Sequence, residues 1–534
     1  MKKILILLLN VAMSVVVMAQ SQAFNPSQKL RYAEGIIENF YVDTINSNKI
    51  VEEAIIAMLK TLDPHSTYST PEETKSLTEP LQGKFSGIGI TFNMQSDTLY
   101  VLQTLVNGPC EKVGIVAGDR IISANDTVIS GVKMKNNDVI KTLRGPKGTE
   151  VNLKVKRKGK PELLSFRVVR EDIPIYSVDA AYMADKTTGY VRISRFAEDT
   201  NDEFVEAVKT LKKQGMKNII IDLQDNGGGY LGSAYDLASN FLNDGDLVVY
   251  TEGLRSAPTY LNVKDSKRLL DGRVIVLVNQ YSASASEIVA GALQDNDRGL
   301  IVGRRTFGKG LVQRPFPFPD GSMIRLTISR YHTPSGRCIQ KPYTEGDEDE
   351  YRNDMNKRYE SGEFMNEDSV HFADSLKYTT LKNKRIVYGG GGIMPDKFVP
   401  IDTTEYSEYY SKMVGSGNLH KYCLRYVDDN RGALKQKYPV DDDFVRDFEV
   451  TDQMIVDLVA LCENDSLKYN EEQYLRSQNA IKSVIKANIA SNTYGSKSFY
   501  KVIGPRDNIL KVALNLINDK KEYDRLLKGE KDKD

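Results

Sequence analysis

The feature that most constrains the fold is a buried strand that ends in a loop of very small residues. The run VIVLVN begins at Val274, and an unbroken apolar run is typical of a strand covered on both faces. SASAS follows, then a helix start at Glu287, a second apolar run at Leu300, and a glycine-rich turn carrying Lys309. Small hydroxyl residues at a strand-to-helix turn, with a lysine on the next turn, indicate a serine nucleophile and a lysine base.

Alternating strand and helix patterns surround this stretch. Strands are predicted at residues 188–193, 218–223 and 247–250, and helices from Thr200 to about residue 214 and over residues 233–241. Strand, helix and strand at this spacing predict a crossover α/β core.

Composition bounds the remaining possibilities. The 534 residues, 40% hydrophobic and 27% charged, predict a globular protein of about three or four domains. The 72 basic and 72 acidic residues cancel, so no net charge attracts nucleic acid or anionic lipid. The four cysteines are widely spaced, without a zinc-ligand pattern, and no metal or organic cofactor is predicted.

The N-terminus has the pattern of a signal peptide. Lys2 and Lys3 precede an apolar run of about 15 residues, which is short for a membrane span, and a small-residue cleavage site ends at Ala19. We therefore expect residues 1–19 to be removed and the protein to be periplasmic or in the cell envelope. An uncleaved anchor is the alternative.

The two regions that precede the core differ from each other in hydrophobic periodicity. Residues 24–82 have helical spacing, and the second helix should end at Asp63-Pro64, where His65 would serve as a capping or packing residue. Residues 83–170 instead show short β runs and many glycines, the size of one small β-rich domain.

The β-rich segment resembles a PDZ domain. GIGI, from Gly87 through Ile88 and Gly89 to Ile90, matches the carboxylate-binding loop, and AGDRIISAND matches a characteristic strand. The resemblance implies that backbone N–H groups hold a terminal carboxylate while the peptide adds as a strand. The alternative is a small barrel whose glycines only make turns.

The rest of the chain divides into three parts. The core should run over residues 171–402, with a polar and charged segment, residues 342–384, interpreted as a surface insertion. Residues 403–534 have helical periodicity and predict a helical C-terminal region.

Three other interpretations of the central stretch are weaker. GRRTFGKG resembles half of a phosphate-binding loop, but Gly310 stands where a magnesium ligand is required. A Ser-His-Asp site would need a histidine, for which His332 is the candidate, and no G-x-S-x-G elbow is present. A simple helix cap does not explain the row of tiny residues.

SASASEI together with FGKGLVQ resembles the C-terminal processing, or tail-specific, serine proteases. The resemblance implies a ClpP/crotonase-like α/β protease core with an inserted PDZ domain and helical N- and C-terminal regions. It also implies a nucleophile at the middle serine, Ser284, a base 25 residues later, Lys309, and a supporting amide, Gln313. LDPHSTY, IDLQDNGGG and GRCIQKPY extend the resemblance over roughly residues 30–400.

Each implied role has a physical requirement. Lys309 accepts a proton only when neutral, so burial must lower its pKa by about 2–3 units, and we expect no carboxylate nearby. By resemblance, the oxyanion donors are Ala285 N–H and an N–H of Gly228 or Gly229. The family pattern DLRxNPGG reads DLQDNGGG here, which predicts a more flexible loop.

The sequence thus predicts an exported serine endopeptidase that binds substrate C-termini on its PDZ domain and cleaves with a Ser-Lys dyad. Its partners would be proteins or peptides with a free, apolar C-terminus, and a regulatory partner or a second copy of the chain is a further expectation. The competing hypothesis is a non-catalytic exported PDZ adaptor.

Overall fold

The computed structural model of the protein describes residues 25–95, 97–266 and 268–530. Helices, a small β-rich domain, an α/β core and further helices follow one another along the chain. The predicted signal peptide lies outside the described residues. Within these ranges, no helix has the length and apolar character needed to cross a membrane.

The N-terminal region is helical, as predicted. It contains α1 (Pro26–Phe40), α2 (Ser47–Lys60) and α3 (Pro71–Gln82), with the short strand β1 (Thr67–Ser69) between the last two. α2 ends just before Asp63-Pro64, where a proline stops helix continuation. β1 pairs antiparallel with a core strand, Thr67 opposite Arg325, so the turn between α2 and β1 is held against the core.

The β-rich domain follows. Its elements are β2 (Lys84–Gly87), β3 (Ile90–Gln95), β4 (Thr98–Thr104), α4 (Pro109–Lys112), β5 (Arg120–Ala124), β6 (Thr127–Val128), α5 (Asn136–Leu143), β7 (Glu150–Lys156) and β8 (Leu163–Val169). An antiparallel sheet runs β3-β4-β5-β7-β8, with β6 paired to β5. Strand β9 (Glu171–Pro174) pairs with β2, so the chain enters and leaves the domain along one two-stranded ribbon.

The α/β core is built on a six-stranded sheet in the order β10-β11-β12-β15-β16-β21. These strands are β10 (Val178–Met183), β11 (Thr188–Ile193), β12 (Asn218–Asp222), β15 (Val274–Val278), β16 (Leu300–Gly303) and β21 (Lys397–Phe398). Within this sheet β11, β12, β15, β16 and β21 run parallel to one another, and β10 is antiparallel to β11. Between them lie helices α6 (Thr200–Lys213), α7 (Leu231–Ser239) and α8 (Ala285–Asp295).

Both faces of this sheet are covered, which explains the continuous apolar runs. On one face Ile219 and Val276 belong to a core that includes the apolar residues of α6, α7 and α8. On the other face Ile220 and Ile275 pack with residues of a C-terminal helix, including Leu510.

A second sheet lies beside the first and is antiparallel. Its path is β1-β18-β13-β14, and β17 also pairs with β18. The added strands are β13 (Leu247–Gly253), β14 (Ser256–Asn262), β17 (Leu311–Pro317) and β18 (Met323–His332). The β17–β18 hairpin directly follows Lys309 and extends the turn that carries it.

The segment at residues 342–384 is not only a surface insertion, so that prediction is wrong in part. It forms α9 (Glu348–Glu360), short 3₁₀ turns and strand β19 (Lys377–Thr379), which pairs with β20 (Ile386–Tyr388) just after the segment. Tyr351 is 6% and Arg358 4% exposed. Sequence reasoning missed this because a buried tyrosine and arginine give no apolar stripe in an otherwise charged helix.

The C-terminal region is helical, as predicted. Its helices are α10 (Glu408–Gly415), α11 (Asn418–Lys437), α12 (Asp441–Asp447), α13 (Asp452–Asn464), α14 (Glu471–Tyr494), α15 (Ser496–Ile503), α16 (Asn508–Asn518) and α17 (Lys520–Lys528). Most of these helices share one apolar core, whereas α16 covers the parallel sheet. α11 also contacts the β-rich domain, where Asp428 pairs with Arg120 at 2.7 Å. The predicted arrangement of an α/β core, an inserted β-rich domain and helical ends is present in the structure.

Candidate active site

Ser284 lies on the turn between β15 and α8, at the N-cap of the helix. Its backbone has φ 58° and ψ −114°, a region that costs a non-glycine residue about 1–3 kcal/mol. Ala283 N donates to Asn226 O at 3.0 Å, and Ser284 N donates to Glu287 Oε2 at 2.7 Å. These two bonds hold the turn in its strained conformation.

The structure separates the three serines of SASAS. Ser282 Oγ donates to Leu223 O at 2.7 Å, and Ser286 Oγ donates to Asn226 O at 2.8 Å. Both of these serines are fully buried, whereas Ser284 is partly exposed. Ser284 is therefore the serine of this loop that a substrate can reach.

Lys309 lies on the turn between β16 and β17 and is tied to the serine turn through its backbone. Lys309 N donates to Glu287 Oε2 at 2.9 Å. The buried Tyr331 hydroxyl lies 2.5 Å from Lys309 O and 3.1 Å from Ser284 O, so it bridges the two turns. Among the described residues, no hydrogen bond joins Ser284 Oγ to Lys309 Nζ.

Glu287 organises the site, and sequence reasoning did not assign it a role. Its carboxylate is fully buried and accepts hydrogen bonds from the N–H groups of Ser284, Gly308 and Lys309 and from Thr306 Oγ1. The carboxylate thus joins the nucleophile turn to the lysine turn. The signal was present, because Ser284-x-x-Glu287 is a capping-box pattern at a helix start.

Burial governs the protonation of both groups. It lowers the pKa of Lys309 from 10.5 to about 8, with a further lowering from Arg325, while Glu287 and Asp63 act in the opposite direction. Burial raises the pKa of Glu287 to about 7, against its four hydrogen-bond donors. The expected dry pocket is present, but the expectation that no carboxylate lies nearby is wrong.

Gln313 is held by the turn after α2. Its Nε2 donates to Thr327 Oγ1 at 3.2 Å, and Thr327 Oγ1 donates to Asp63 Oδ1 at 3.0 Å. Asp63 also accepts the N–H of His65 at 2.8 Å. The LDPHSTY turn therefore supports the strand that follows Lys309, a role that its sequence alone did not indicate.

His332, the candidate for a Ser-His-Asp site, and His65, predicted as a capping or packing residue, both have other contacts. His65 Nε2 lies 2.9 Å from the Tyr351 hydroxyl, and burial, followed by the nearby Lys309 charge, lowers the pKa of His65 to about 3. His332 stacks on Tyr250 with ring centroids 4.6 Å apart and lies 3.1 Å from Glu252. The described hydrogen bonds connect neither histidine to Ser284.

The predicted oxyanion residues lie beside Ser284. A Cβ on Gly228 would come within 2.8 Å of Ser284 Cβ and 3.0 Å of Ala285 N, so only glycine permits this approach. Gly228 N, however, donates to Asn226 Oδ1 at 2.8 Å and is already engaged. Gly229 has φ 150° and lies against Phe196, while Ala285 N is in the first turn of α8, where backbone N–H groups lack intrahelical acceptors.

The predicted carboxylate loop lines a groove of about 370 Å³ in the β-rich domain. Gly87, Ile88, Gly89 and Ile90 form one wall, and α5 forms the other through Asn136, Ile140, Leu143 and Arg144. Arg144 Cζ lies 4.1 Å from the Phe85 ring centroid and the guanidinium bonds to Glu79 of α3. The lining is apolar with one cation at its rim. In the described part of the chain, no cluster of His, Cys, Asp and Glu is arranged to hold a metal ion.

Comparisons with known proteins agree with this architecture. Residues 187–349 match peptidase family S41, residues 86–168 match the PDZ domain, and residues 409–495 match a family of unknown function, DUF8443. A carboxy-terminal-processing protease of Bartonella bacilliformis is 35% identical over 61% of this chain and 77% of its own length. The carboxy-terminal processing protease CtpB of Bacillus subtilis is 35% identical over 60% of this chain and 67% of its own.

Among solved structures, the photosystem II D1 C-terminal processing protease is 28% identical to this chain. It aligns with 61% of this chain and 87% of its own, with a TM-score of 0.33. The resemblance predicted from the sequence is confirmed by the family matches and by the curated relatives. The chain belongs to peptidase family S41, as a serine peptidase of the carboxy-terminal-processing type that carries a PDZ domain.

Proposed function

We propose that the protein cleaves peptide bonds with Ser284 as nucleophile and Lys309 as general base. The observation that carries this proposal is the shared Glu287 carboxylate, which binds the backbone N–H groups of both residues. A strained, partly exposed serine and a half-buried lysine with a lowered pKa are thereby held on adjoining turns. Such a lysine is partly neutral near pH 8 and can accept a proton.

The chemistry needs two proton transfers for each half-reaction. Ser284 Oγ attacks the scissile carbonyl carbon while its proton moves to Lys309 Nζ, and the carbonyl oxygen becomes an oxyanion. The C–N bond then breaks as Lys309 returns the proton to the departing amine, leaving an acyl-serine. Water, deprotonated by Lys309, attacks the ester, and Ser284 leaves with a proton from the same lysine.

Two features favour a resting state that is not fully assembled. Ser284 Oγ and Lys309 Nζ are not hydrogen-bonded within the described structure, and Gly228 N–H is engaged by Asn226. In the active arrangement, Ala285 N–H and an N–H of Gly228 or Gly229 would hold the oxyanion. Gln313 would orient the lysine amine after leaving Thr327, to which it donates at 3.2 Å. Substrate binding would supply the free energy for these changes.

The PDZ groove would capture the substrate. Its wall of Gly87 to Ile90 and its apolar lining suit an apolar side chain next to a free carboxylate, with the peptide added as a strand. Capture there leaves an upstream segment free to reach Ser284.

The N-terminal sequence supports export to the periplasm or cell envelope. N-terminal sequencing of the protein from fractionated cells tests this point. A start near Gln20 in the envelope fraction is expected, and an intact Met1 in the cytoplasmic fraction would contradict it.

Cleavage assays test the dyad. The mature protein should cleave an unstructured protein with an apolar tail, while Ser284→Ala and Lys309→Ala each abolish cleavage. Lys264→Ala, at an exposed lysine, is the matched control and should keep full activity. Full activity in Ser284→Ala with loss in His332→Ala would refute the dyad. If amidating the substrate's C-terminus leaves kcat/KM unchanged, carboxylate capture is wrong.

A further inference from the structure

The segment at residues 342–384 reaches the turn that carries Lys309. Arg358, on α9, donates from Nη2 to Arg305 O at 2.8 Å and from Nη1 to Thr306 O at 3.1 Å. We infer that Arg358 is a positioning residue for peptide cleavage, which holds the lysine turn at its distance from Ser284. The inference rests on the proposed Ser284–Lys309 chemistry.

The Arg358 guanidinium is buried at this contact and is also bound by a carboxylate. Its side chain is 4% exposed and that of Glu363 is 7% exposed. Glu363 Oε1 accepts Arg358 Nε at 2.8 Å and Arg305 Nε at 2.8 Å. A planar guanidinium can serve two neighbouring carbonyls and a carboxylate at once, which a lysine ammonium cannot do in the same plane.

A short path joins Arg358 to both reacting residues. Thr306, whose carbonyl Arg358 binds, donates its hydroxyl to Glu287 Oε1 at 2.5 Å. The other oxygen of Glu287 accepts the N–H groups of Ser284 at 2.7 Å and Lys309 at 2.9 Å. A shift of the turn at Thr306 is therefore passed to the carboxylate that spaces the two reacting residues.

A second contact reaches the same turn through Lys341, which lies before α9 in the chain and is bound to it. Lys341 Nζ lies between the rings of Phe307 and Tyr351, 4.3 and 4.0 Å from their centroids. It also donates to Tyr351 O at 3.1 Å, and Lys341 N donates to Gly308 O at 2.9 Å. Lys341 thus holds the lysine turn at Gly308, and Tyr351 of α9 meets Phe307 with ring centroids 6.0 Å apart.

Stability alone does not account for this cluster. It buries two guanidinium groups, Arg305 and Arg358, around one carboxylate, Glu363. Burial lowers the pKa of Arg358, and the neighbouring Arg305 lowers it further. Buried ionic clusters of this kind often add no stability over apolar residues of similar volume. What the cluster does supply is a defined geometry for two backbone carbonyls of the turn.

The test compares two arginines of the same helix in the purified mature protein. Arg358→Ala should lower kcat at least about 10-fold with KM within about twofold, because misplacing a reacting group by an ångström can cost about 100-fold. Arg352→Ala is the matched control, since Arg352 is 73% exposed and pairs with Glu348 one turn away. It should leave kcat unchanged.

Three further readouts distinguish positioning from folding. Added guanidinium at a sub-denaturing concentration should restore part of the kcat of Arg358→Ala. Arg358→Lys should recover only part of the activity. The ascending limb of the pH–kcat profile of Arg358→Ala, which follows deprotonation of Lys309, should move to higher pH, because a displaced Lys309 is better hydrated and its pKa rises.

An unchanged kcat in Arg358→Ala would overturn the inference. The inference would also be overturned if Arg358→Ala loses activity only because it unfolds. In that case circular dichroism would show loss of the folded state, guanidinium would give no rescue, and a folded Arg358→Gln would keep wild-type kcat. The proposed function fails separately, if Ser284→Ala or Lys309→Ala retains activity.

Discussion

Replacing Arg325 by glutamine should move the pH dependence of cleavage to higher pH. Arg325 lies on β18, and its charge is the second cause, after burial, of the lowered pKa of Lys309. Arg325 Nη2 contacts Thr67 Oγ1 at 3.4 Å, so the substitution removes one long hydrogen bond together with the charge. Without that cation, protonated Lys309 is less disfavoured and its pKa rises.

The size of the effect follows from the neutral fraction of Lys309. A pKa of about 8 in place of 10.5 disfavours the charged amine by about 3 kcal/mol. It leaves about 9% of the lysine neutral at pH 7, about 300 times more than an ordinary lysine. If the substitution raises the pKa of Lys309 by about one unit, the neutral fraction falls to about 1% at pH 7 but is still about 90% at pH 10.

The assay is kcat for a quenched fluorescent substrate with a free apolar C-terminus, measured from pH 6 to pH 10. Arg325→Gln should be about ninefold slower than the parent at pH 7 and nearly equal to it at pH 10. Arg330→Gln removes the same charge from an exposed position of the same strand and should leave the profile unchanged. A profile that falls from pH 7 to pH 9, or one insensitive to Arg325 but shifted by Arg330→Gln, would refute a neutral-lysine base.

Other consequences follow from the same structure. Lys309→Met should raise the free energy of unfolding at pH 7 by up to about 3 kcal/mol, since protonated Lys309 is disfavoured in the fold. The lowered pKa of Lys309 penalises folding fully below about pH 8, so the stability gain of Lys309→Met over the parent should shrink towards pH 10.5. An equal gain at pH 7 and pH 10.5, measured by urea unfolding, would contradict this. Gly228→Ala should reduce kcat at least about 100-fold, since its Cβ would lie 2.8 Å from Ser284 Cβ; a crystal structure of the variant with an unmoved serine turn and full activity would contradict this. Asp428→Lys should place two cations where the 2.7 Å pair with Arg120 now lies and speed hydrogen–deuterium exchange in β5; unchanged exchange would show that α11 does not hold the PDZ domain.

Local pattern was sufficient for the elements that carry the chemistry. The apolar runs of β12 and β15 predicted strands buried on both faces. The resemblance of SASASEI and FGKGLVQ to the C-terminal processing proteases selected Ser284 and Lys309, and the resemblance of GIGI to a PDZ loop predicted the groove. Strand burial, helix starts and glycine turns are encoded over a few neighbouring residues, where periodicity and residue size report them directly.

The contacts that assemble the site come from distant parts of the chain, and these only the tertiary structure decided. Glu287 is fully buried because three N–H groups and a hydroxyl from two turns converge on it. From the sequence, Arg358 is indistinguishable from the exposed charged residues of its helix. In the structure its guanidinium donates hydrogen bonds to two carbonyls of the lysine turn. The engagement of Gly228 N–H by Asn226 is equally invisible in sequence.

The physical reason is the range of the interactions. Hydrophobic periodicity reports whether a side chain is buried but not which partner it meets, and a buried polar group looks exposed to any pattern based on hydropathy. Sequence by itself therefore determined the fold class, the family resemblance and the candidate dyad. The tertiary structure decided that Ser284 and Lys309 lie on turns joined by Glu287, which groups set the pKa of Lys309, and that Arg358 binds carbonyls of the lysine turn.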